Sequence, residues 1–252
     1  MKIAILTGAS SGLGRAFAGK IHGVFPDIEE IWLVARRTER LEALAAESSA
    51  VRMVPVPCDL LAEAGYSSLV ERLARERPEV ALLINNAGCG FLGAFAEADE
   101  AEQLRSIDLN VRALTRLTHA VLPYMPRGAR ILNTSSIASF SPNPNMAVYS
   151  ATKAYVTFFS RALNDELRAS GRSCTAVCPA PMDTEFLALG RVAGHSKMFE
   201  RLPYETVDEV SLGALRAARR RRAVYTPRAF YRFYRFLCRI LPDALLIRLG
   251  RT

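Results

Sequence analysis

The sequence predicts an α/β fold: one doubly wound domain whose seven-stranded, mostly parallel sheet carries helices on both faces. Three observations support this class. Short apolar runs alternate with helix-length amphipathic segments. The apolar runs are continuous, as in strands that are covered on both faces. Finally, half of the 252 residues are hydrophobic, which suits a single domain with a substantial core.

The strands and helices follow from this alternation. Strands are predicted over 3–6, 31–35, 52–55, 81–84, 130–134, 174–178 and 223–225. Helices are predicted over about 13–24, 39–48, 66–76, 100–123, 147–169 and 207–219. The sequence has no internal repeat and no low-complexity linker, and its composition changes only near the last strand. We therefore expect a domain over 1–226 and a basic, aromatic helical tail over 227–252.

Charge and cysteine usage narrow the function class. The net charge of +8 comes largely from arginines after residue 215, and no nucleic-acid-binding module accompanies them, so no nucleic-acid partner is expected. Five cysteines and three histidines are scattered without paired spacing, which predicts reduced thiols, a cytoplasmic location and no metal site. No signal peptide is predicted, and no apolar run reaches the roughly 18 residues that span a bilayer.

A glycine-rich turn joins the first strand to the first helix. Gly8, Gly12 and Gly14 stand in G-x-x-x-G-x-G spacing. Glycines permit a tight turn and a close approach of the backbone, and the following helix N-terminus offers free N–H groups to a pyrophosphate. Three glycines alone are also compatible with an ordinary turn, but their place between a strand and a helix favours nucleotide binding.

The second strand indicates which nucleotide is bound. It runs directly into Arg36 and Arg37, and the first carboxylate comes only at Glu39. A carboxylate here would bind the adenosine ribose 2′-hydroxyl, whereas a guanidinium pairs with a 2′-phosphate. This pattern predicts NADP(H) in preference to NAD(H). The alternative is that both arginines are solvated residues at a helix start.

The stretch "AVYSATKAYV" sets Tyr149 four residues before Lys153, on one face of the predicted helix. A neighbouring ammonium favours the phenolate, so we expect the tyrosine pKa to fall toward neutrality, where the phenol can exchange protons. The alternative is an ordinary amphipathic helix with a surface lysine.

These motifs together resemble the classical short-chain dehydrogenase/reductase family over roughly 1–226. The family motif T-G-x-x-x-G-x-G matches "TGASSGLG" from Thr7 onward, and N-N-A-G appears at 85–88. The family's Asn, Ser, Tyr and Lys tetrad is similar to Asn110, Ser136, Tyr149 and Lys153. The resemblance implies a Rossmann-type domain and an NADP(H)-dependent oxidoreductase that interconverts a carbonyl and an alcohol.

The resemblance also implies a role for each tetrad residue. Tyr149 would be the general acid/base, Ser136 would hydrogen-bond the reacting oxygen, and Lys153 would tune the tyrosine and hold the nicotinamide ribose. Asn110 would bind a water that feeds the proton relay. Ser136 is preferred to Ser135 because of the family's usual interval to the tyrosine, although both follow the same strand.

Further cofactor contacts carry over from the family. Asp59 would accept the adenine amino group, and Thr184 would help to hold the nicotinamide carboxamide. The family's P-G is Pro179-Ala180 here, which puts the path of that loop in doubt because alanine disfavours positive φ. The expected cofactor-binding residues are Thr7, Gly8, Ser10, Ser11, Gly12, Leu13, Gly14, Arg36, Arg37, Asp59, Leu60, Asn86, Ala87, Gly88, Tyr149, Lys153, Pro179, Met182 and Thr184.

The substrate side carries weaker signals. After Thr184 comes an apolar segment that resembles the family's mobile lid, and it favours either a hydrophobic substrate or simple packing onto the body. Its apolar residues are Phe186, Leu187, Leu189, Val192, Met198 and Phe199. "SFSPNPNMAV" would form another wall of the pocket.

The basic, aromatic tail allows three interpretations: a cap over the pocket, a subunit contact, or a peripheral contact with an anionic membrane through 228–249. By resemblance, the chain would form a homo-dimer or tetramer through 100–123 and 147–169. A rival of another class is a catalytically idle NADP-binding protein that uses the tail for interactions. The presence of Ser136, Tyr149 and Lys153 argues against that rival.

Overall fold

The computed structural model describes residues 1–189 and 202–250. Its sheet has seven strands, every pairing is parallel, and the order is β3-β2-β1-β4-β5-β6-β7. The strands are β1 (Lys2–Thr7), β2 (Glu30–Ala35), β3 (Arg52–Pro57), β4 (Glu79–Asn85), β5 (Arg130–Thr134), β6 (Ser173–Val177) and β7 (Val224–Tyr225). The predicted fold class is confirmed, and each predicted strand is found within two residues of its expected bounds.

Helices connect the strands. They are α1 (Gly12–Val24), α2 (Thr38–Ala46), α3 (Glu63–Glu76), α4 (Glu100–Ile107), α5 (Leu114–Val121), α6 (Ala147–Glu166), α7 (Glu185–Leu189), α8 (Val207–Arg219), α9 (Ala229–Ile240) and α10 (Asp243–Gly250). The predicted helical segment over about 100–123 is found, but a π-helical segment, Asp108–Ala113, divides it into α4 and α5. The short helix α7 and the separate bounds of α9 and α10 were not predicted.

The core has two layers, one on each face of the sheet. Ile3 and Ile5 point to the layer formed with α3, α5 and α6. Ala4 and Leu6, the alternate residues of β1, point to the layer formed with α1, α2 and α8. Both faces are therefore buried, which is why the strands are continuously apolar.

The strand order places the site. β1 and β4 are neighbours at the centre of the sheet, with β2 and β3 on one side and β5 to β7 on the other. The direction of sheet growth thus reverses between β3 and β4, and the helices leave β1 and β4 toward opposite faces. Ligands of such sheets bind in the crevice beyond the carboxyl ends of the strands at this switch point.

The tail packs against the body through α9. Tyr231 is fully buried against Ile137 and Ala180, and its hydroxyl donates to the carbonyl of Pro203 at 2.7 Å. Tyr234 hydrogen-bonds Ser141 at 2.7 Å between the hydroxyl oxygens. Within residues 1–189 and 202–250, no helix is both long enough and apolar enough to cross a membrane.

Candidate active site

One cavity of about 680 Å³ runs along the carboxyl ends of the strands, from the glycine turn to the tail. Nearly all the predicted site residues line it. The exceptions are Thr7, Gly14 and Asn110, which lie behind the wall. The structure therefore makes these three supports of the cavity rather than part of its lining.

The glycine turn forms the narrow end of the cavity. A Cβ built on Gly14 would lie 2.0 Å from the carbonyl oxygen of Gly8, so no side chain fits where α1 crosses the turn. The Ser11 side chain does not cap α1. The first N–H groups of the helix therefore remain for an anionic ligand at its positive end, and the geometry fits a pyrophosphate.

Thr7 and Asn86 hold the turn against the loop that follows β4. The Thr7 hydroxyl accepts from the backbone N–H of Asn86 at 2.9 Å and of Ala87 at 3.0 Å, and it donates to the carbonyl of Ile84. The Asn86 amide donates to the carbonyls of Thr7 and Gly8. These bonds join the two central strand ends, between which a nucleotide would lie.

Arginines surround the end of β2. Arg36 and Arg37 both line the cavity, and Arg36 is exposed. The Arg37 guanidinium donates to the Ser10 hydroxyl at 3.0 and 3.2 Å and to the Glu185 carboxylate at 2.9 Å. Asp59 also lines the cavity, and its carboxylate accepts the backbone N–H of Leu61 at 3.0 Å. The cation pair predicted for a 2′-phosphate thus lies beside the glycine turn.

Tyr149 and Lys153 share one face of α6 and line the same cavity, as their spacing predicts. Both side chains are buried, and the Lys153 Nζ lies 5.7 Å from the centroid of the Tyr149 ring. The ammonium is held by the carbonyl of Thr134, to which it donates at 2.9 Å. The carboxyl end of β5 therefore positions the lysine.

The expected fall in the Tyr149 pKa was wrong for this structure. Burial raises the pKa of Tyr149 to about 12, and the hydrogen bond with Ser136 only partly offsets that rise. Burial also lowers the pKa of Lys153 to about 8. Desolvation disfavours both the phenolate of Tyr149 and the ammonium of Lys153. The sequence shows the spacing of the two residues but not how deeply they are buried.

The two serines after β5 have different surroundings. The Ser135 hydroxyl donates to the Lys153 carbonyl at 2.8 Å and hydrogen-bonds Thr157 at 2.7 Å, so it is engaged with α6. The Ser136 hydroxyl accepts the N–H of Ala138 at 3.1 Å and interacts with the Tyr149 hydroxyl. Ser136 is thus the serine beside the phenol.

Asn110 lies in the π-helical segment, a feature that often marks functional sites. Its side-chain amide donates to the Cys89 carbonyl at 2.7 Å and to Thr152 at 3.0 Å, and its oxygen accepts the Cys89 N–H at 3.0 Å. The side chain thereby fastens the loop after β4 to α6. This contact places Asn110 directly behind the Tyr149 and Lys153 helix.

Ala180 does not distort its loop. It has no positive φ, and its N–H donates to the buried Glu205 carboxylate at 2.9 Å. Burial raises the pKa of Glu205, and the backbone N–H groups of Ala180 and Arg228 act against that rise. The backbone at position 180 is therefore one that alanine adopts readily, and the missing glycine leaves no doubt about the path of this loop.

Several wall residues were missed from the sequence. Gly90 does not line the cavity but was also missed, and it packs against Tyr149, since a Cβ there would lie 2.2 Å from the Tyr149 ring. Other missed wall residues come from the tail, for which a cap over the pocket was one of three interpretations but no motif indicated the individual residues. Those tail residues are Phe230, Tyr231, Tyr234, Leu237, Leu241 and Leu246.

The start of the expected lid also reaches the site. Phe186 and Leu187 line the cavity, and the Phe186 ring lies 5.8 Å from the Tyr149 ring between centroids. Val192, Met198, Phe199 and the side chain of Leu189 lie outside the described residues.

The fold and the site define a nucleotide-binding α/β protein with a buried Ser, Tyr and Lys set. The family model described as short chain dehydrogenase matches residues 2–191. The chain therefore belongs to the short-chain dehydrogenase family, whose members are oxidoreductases, and the resemblance seen in the sequence is confirmed.

The names of individual relatives describe different substrates and different bound cofactors. Sulfoacetaldehyde reductase 2 of Chromohalobacter salexigens is 36% identical over 210 residues, which cover 81% of this chain and 81% of that protein. A short-chain dehydrogenase from Sphingobium yanoikuyae in complex with NADPH is 33% identical, with a TM-score of 0.79 and coverage of 97% and 98%. A 3-ketoacyl-(acyl-carrier-protein) reductase from Brucella melitensis complexed with NADH is 27% identical, with a TM-score of 0.75 and coverage of 90% and 94%.

Proposed function

We propose that the protein is an NADP(H)-dependent oxidoreductase that interconverts a carbonyl and an alcohol on a hydrophobic substrate. The observation that carries this proposal is the position of Tyr149: its ring lines the same cavity as the glycine turn, with Ser136 and Lys153 beside it. A proton donor, an oxygen-binding hydroxyl and a nucleotide cradle thus share one space.

In this proposal the bound nicotinamide supplies or accepts the hydride. Tyr149 gives a proton to the carbonyl oxygen, and its raised pKa keeps it protonated at neutral pH, as a general acid must be. Ser136 donates a hydrogen bond to the same oxygen as charge develops there. Lys153 holds the nicotinamide ribose. Asn110 holds α6, the helix that carries Tyr149 and Lys153, and we assign to it the water of the proton relay.

The preference for NADP(H) is supported by charge at the adenosine end. Arg36 and Arg37 line the cavity where a 2′-phosphate would lie, and the β2 residues that line it, Val34 and Ala35, are not acidic. Solved relatives hold NADPH or NADH, so family membership leaves this choice to local residues. Asp59 is assigned to the adenine amino group, and Thr184 and Met182 to the nicotinamide side.

The wall around Tyr149 favours a hydrophobic substrate. Apolar side chains from four separate parts of the chain line the cavity, namely Met146, Phe186, Leu202, Tyr234, Leu241 and Leu246, and Phe186 lies against the Tyr149 ring. The relative named for sulfoacetaldehyde acts on a small anionic aldehyde, which this apolar wall matches poorly. A bulky aliphatic or aromatic ketone matches it better.

The test is NADPH oxidation with a carbonyl panel that includes bulky ketones, short aldehydes and sulfoacetaldehyde. Turnover of bulky ketones supports the proposal in full. Turnover of sulfoacetaldehyde alone would overturn the substrate class but keep the reaction. NADPH binding by fluorescence without turnover of any member would favour the rival, a catalytically idle NADP-binding protein.

Cofactor choice is tested separately with Arg37→Ala. Removal of one phosphate-pairing guanidinium is expected to weaken NADPH binding by roughly 10-fold or more while NADH binding changes little. The matched control is Arg15→Ala, whose guanidinium pairs with Glu47 outside the cavity. Equal losses for both dinucleotides would contradict the assignment.

We assign self-association to the outer face of α4 and α6, where Leu104, Ile107, Tyr155 and Phe158 are exposed. An apolar patch of this kind is typical of a protein contact. A homo-dimer or tetramer through this face is therefore part of the proposal. The five free cysteines fit a reducing, cytoplasmic location.

A further inference from the structure

Helix α9 presents an outward apolar strip that no part of the described chain covers. Phe233, Phe236 and Ile240 follow the i, i+3, i+7 spacing of one helix face and are 60%, 56% and 60% exposed. Phe230 precedes the strip and Leu245 of α10 follows it, and both are exposed. We call Phe233, Phe236 and Ile240 the outer strip.

The orientation of this strip is fixed by the opposite side of α9. Tyr231 is buried in the body and donates to the Pro203 carbonyl, and Tyr234 hydrogen-bonds Ser141. Arg235 donates to the Thr226 hydroxyl at 3.2 Å. Because these contacts hold the inner side of α9 against the body, α9 cannot rotate to bury the outer strip.

The charge beside the strip is mainly positive. Residues 226–250 contain five arginines and one acidic residue, Asp243. Arg232 and Arg239 lie on α9 at one edge of the outer strip, and α9 has no acidic residue. An apolar face flanked by arginines fits the headgroup layer of an anionic membrane, where the side chains insert and the guanidinium groups meet phosphates.

The other edge of α9 is the rim of the cavity. Phe230, Tyr234 and Leu237 line the cavity from α9, and Leu241 and Leu246 extend that wall. A surface that receives the outer strip would therefore also border the cavity mouth. We infer that α9 docks the protein on an anionic lipid surface, with the cavity mouth at the membrane interface.

A second copy of the chain is the competing occupant. A symmetric contact through α9 would bring Arg232 and Arg239 of two copies together without acidic partners on that helix, which is unfavourable. The face on α4 and α6 offers Leu104 and Phe158 for self-association instead. Charge complementarity thus favours lipid on α9.

The experiment is co-sedimentation of the full chain with phosphatidylcholine vesicles, with and without phosphatidylglycerol. The wild-type chain is expected to sediment with the anionic vesicles, and added salt should weaken binding. The triple variant Phe233→Ser, Phe236→Ser, Ile240→Ser should lose on the order of tenfold in partitioning per side chain. The matched control, Phe95→Ser, removes an exposed aromatic side chain outside α9 and should bind like wild type.

Three results would overturn the inference: no binding of the wild type to anionic vesicles, equal binding of the triple variant, or equal loss in the control. A triple variant that turns from dimer to monomer in analytical ultracentrifugation, without vesicle binding by the wild type, would assign the strip to a second copy. If the triple variant unfolds, Arg232→Glu with Arg239→Glu replaces it. That variant must lose the preference for phosphatidylglycerol, and unchanged binding would again refute the inference.

Discussion

The two ends of the cavity are built in different ways. The glycine turn at the cofactor end uses residues close together in the chain, since Gly14 packs against the backbone of Gly8. The substrate end is lined by Met146, Phe186 and Tyr231, which come from distant segments of the chain. A phosphate-binding turn therefore leaves a local motif in the sequence, whereas a packed apolar wall leaves none.

Tyr149 lies where the two ends meet, so its loss should produce the largest effect. Tyr149→Phe removes the proton donor and keeps the ring, and turnover is expected to fall by about 10²–10⁴-fold while dinucleotide affinity stays unchanged. Steady-state kinetics and fluorescence titration measure the two quantities. The control is Tyr155→Phe on the same helix, whose exposed hydroxyl hydrogen-bonds Thr115.

A Tyr149→Phe enzyme that keeps most of its turnover would remove the tyrosine from the mechanism. Loss of dinucleotide binding as well would instead mean that the phenol supports the cofactor end. Either result would mean that the cofactor end and the substrate end do not have the separate roles proposed for them.

The cofactor end and the sheet were largely predictable because their rules are local. A strand buried on both faces must be apolar throughout, so β1 and β4 were visible as runs. The spacing of Tyr149 and Lys153 placed both side chains on one helix face, whatever else surrounds them.

Other features could not be predicted because they depend on depth and on distant packing. The rise in the Tyr149 pKa follows from burial, which the Y-x-x-x-K spacing does not encode. The π-helical segment around Asn110 inserts itself into an otherwise regular helical pattern. The role of Tyr231 in the wall requires knowing that α9 folds back over Ala180.

The next largest effect should come from the tail. Tyr231→Ala deletes a fully buried aromatic side chain and is expected to lower the free energy of unfolding by about 3–5 kcal/mol. Tyr231→Phe removes only the hydrogen bond to Pro203 and should cost about 0.5–1.5 kcal/mol. Urea unfolding curves measure both values. An unchanged transition for Tyr231→Ala would mean that the tail folds apart from the body.

A substitution at Gly90 tests how tightly the Tyr149 ring is held between the two ends of the cavity. Gly90→Ala would force a methyl group against the Tyr149 ring, so it should lower turnover and cost about 1–3 kcal/mol of stability. Gly19→Ala is the control, because a Cβ there meets open space in α1, and it should leave turnover unchanged and stabilise the helix by up to about 1 kcal/mol. Turnover of Gly90→Ala equal to wild type would show that the ring moves freely.

The smallest effect should come from Glu185, which links the cofactor end to the start of the substrate end. Its carboxylate accepts from Arg40 at 2.6 Å and Arg37 at 2.9 Å, and these bonds lower its pKa, so it remains charged at neutral pH. A bound 2′-phosphate would compete with this carboxylate for Arg37. Glu185→Gln is therefore expected to tighten NADPH binding by up to about fivefold and to leave NADH binding unchanged.

Glu47→Gln, which breaks an ion pair with Arg15 outside the cavity, is the control for a general change in surface charge. Titrations at low and high salt sharpen the result, because screening should reduce the gain for NADPH. Weaker NADPH binding in Glu185→Gln would mean that the carboxylate holds Arg37 in position for the phosphate. Helix α7, which begins at Glu185, would then support the cofactor end of the cavity. The two ends would be less distinct at that residue.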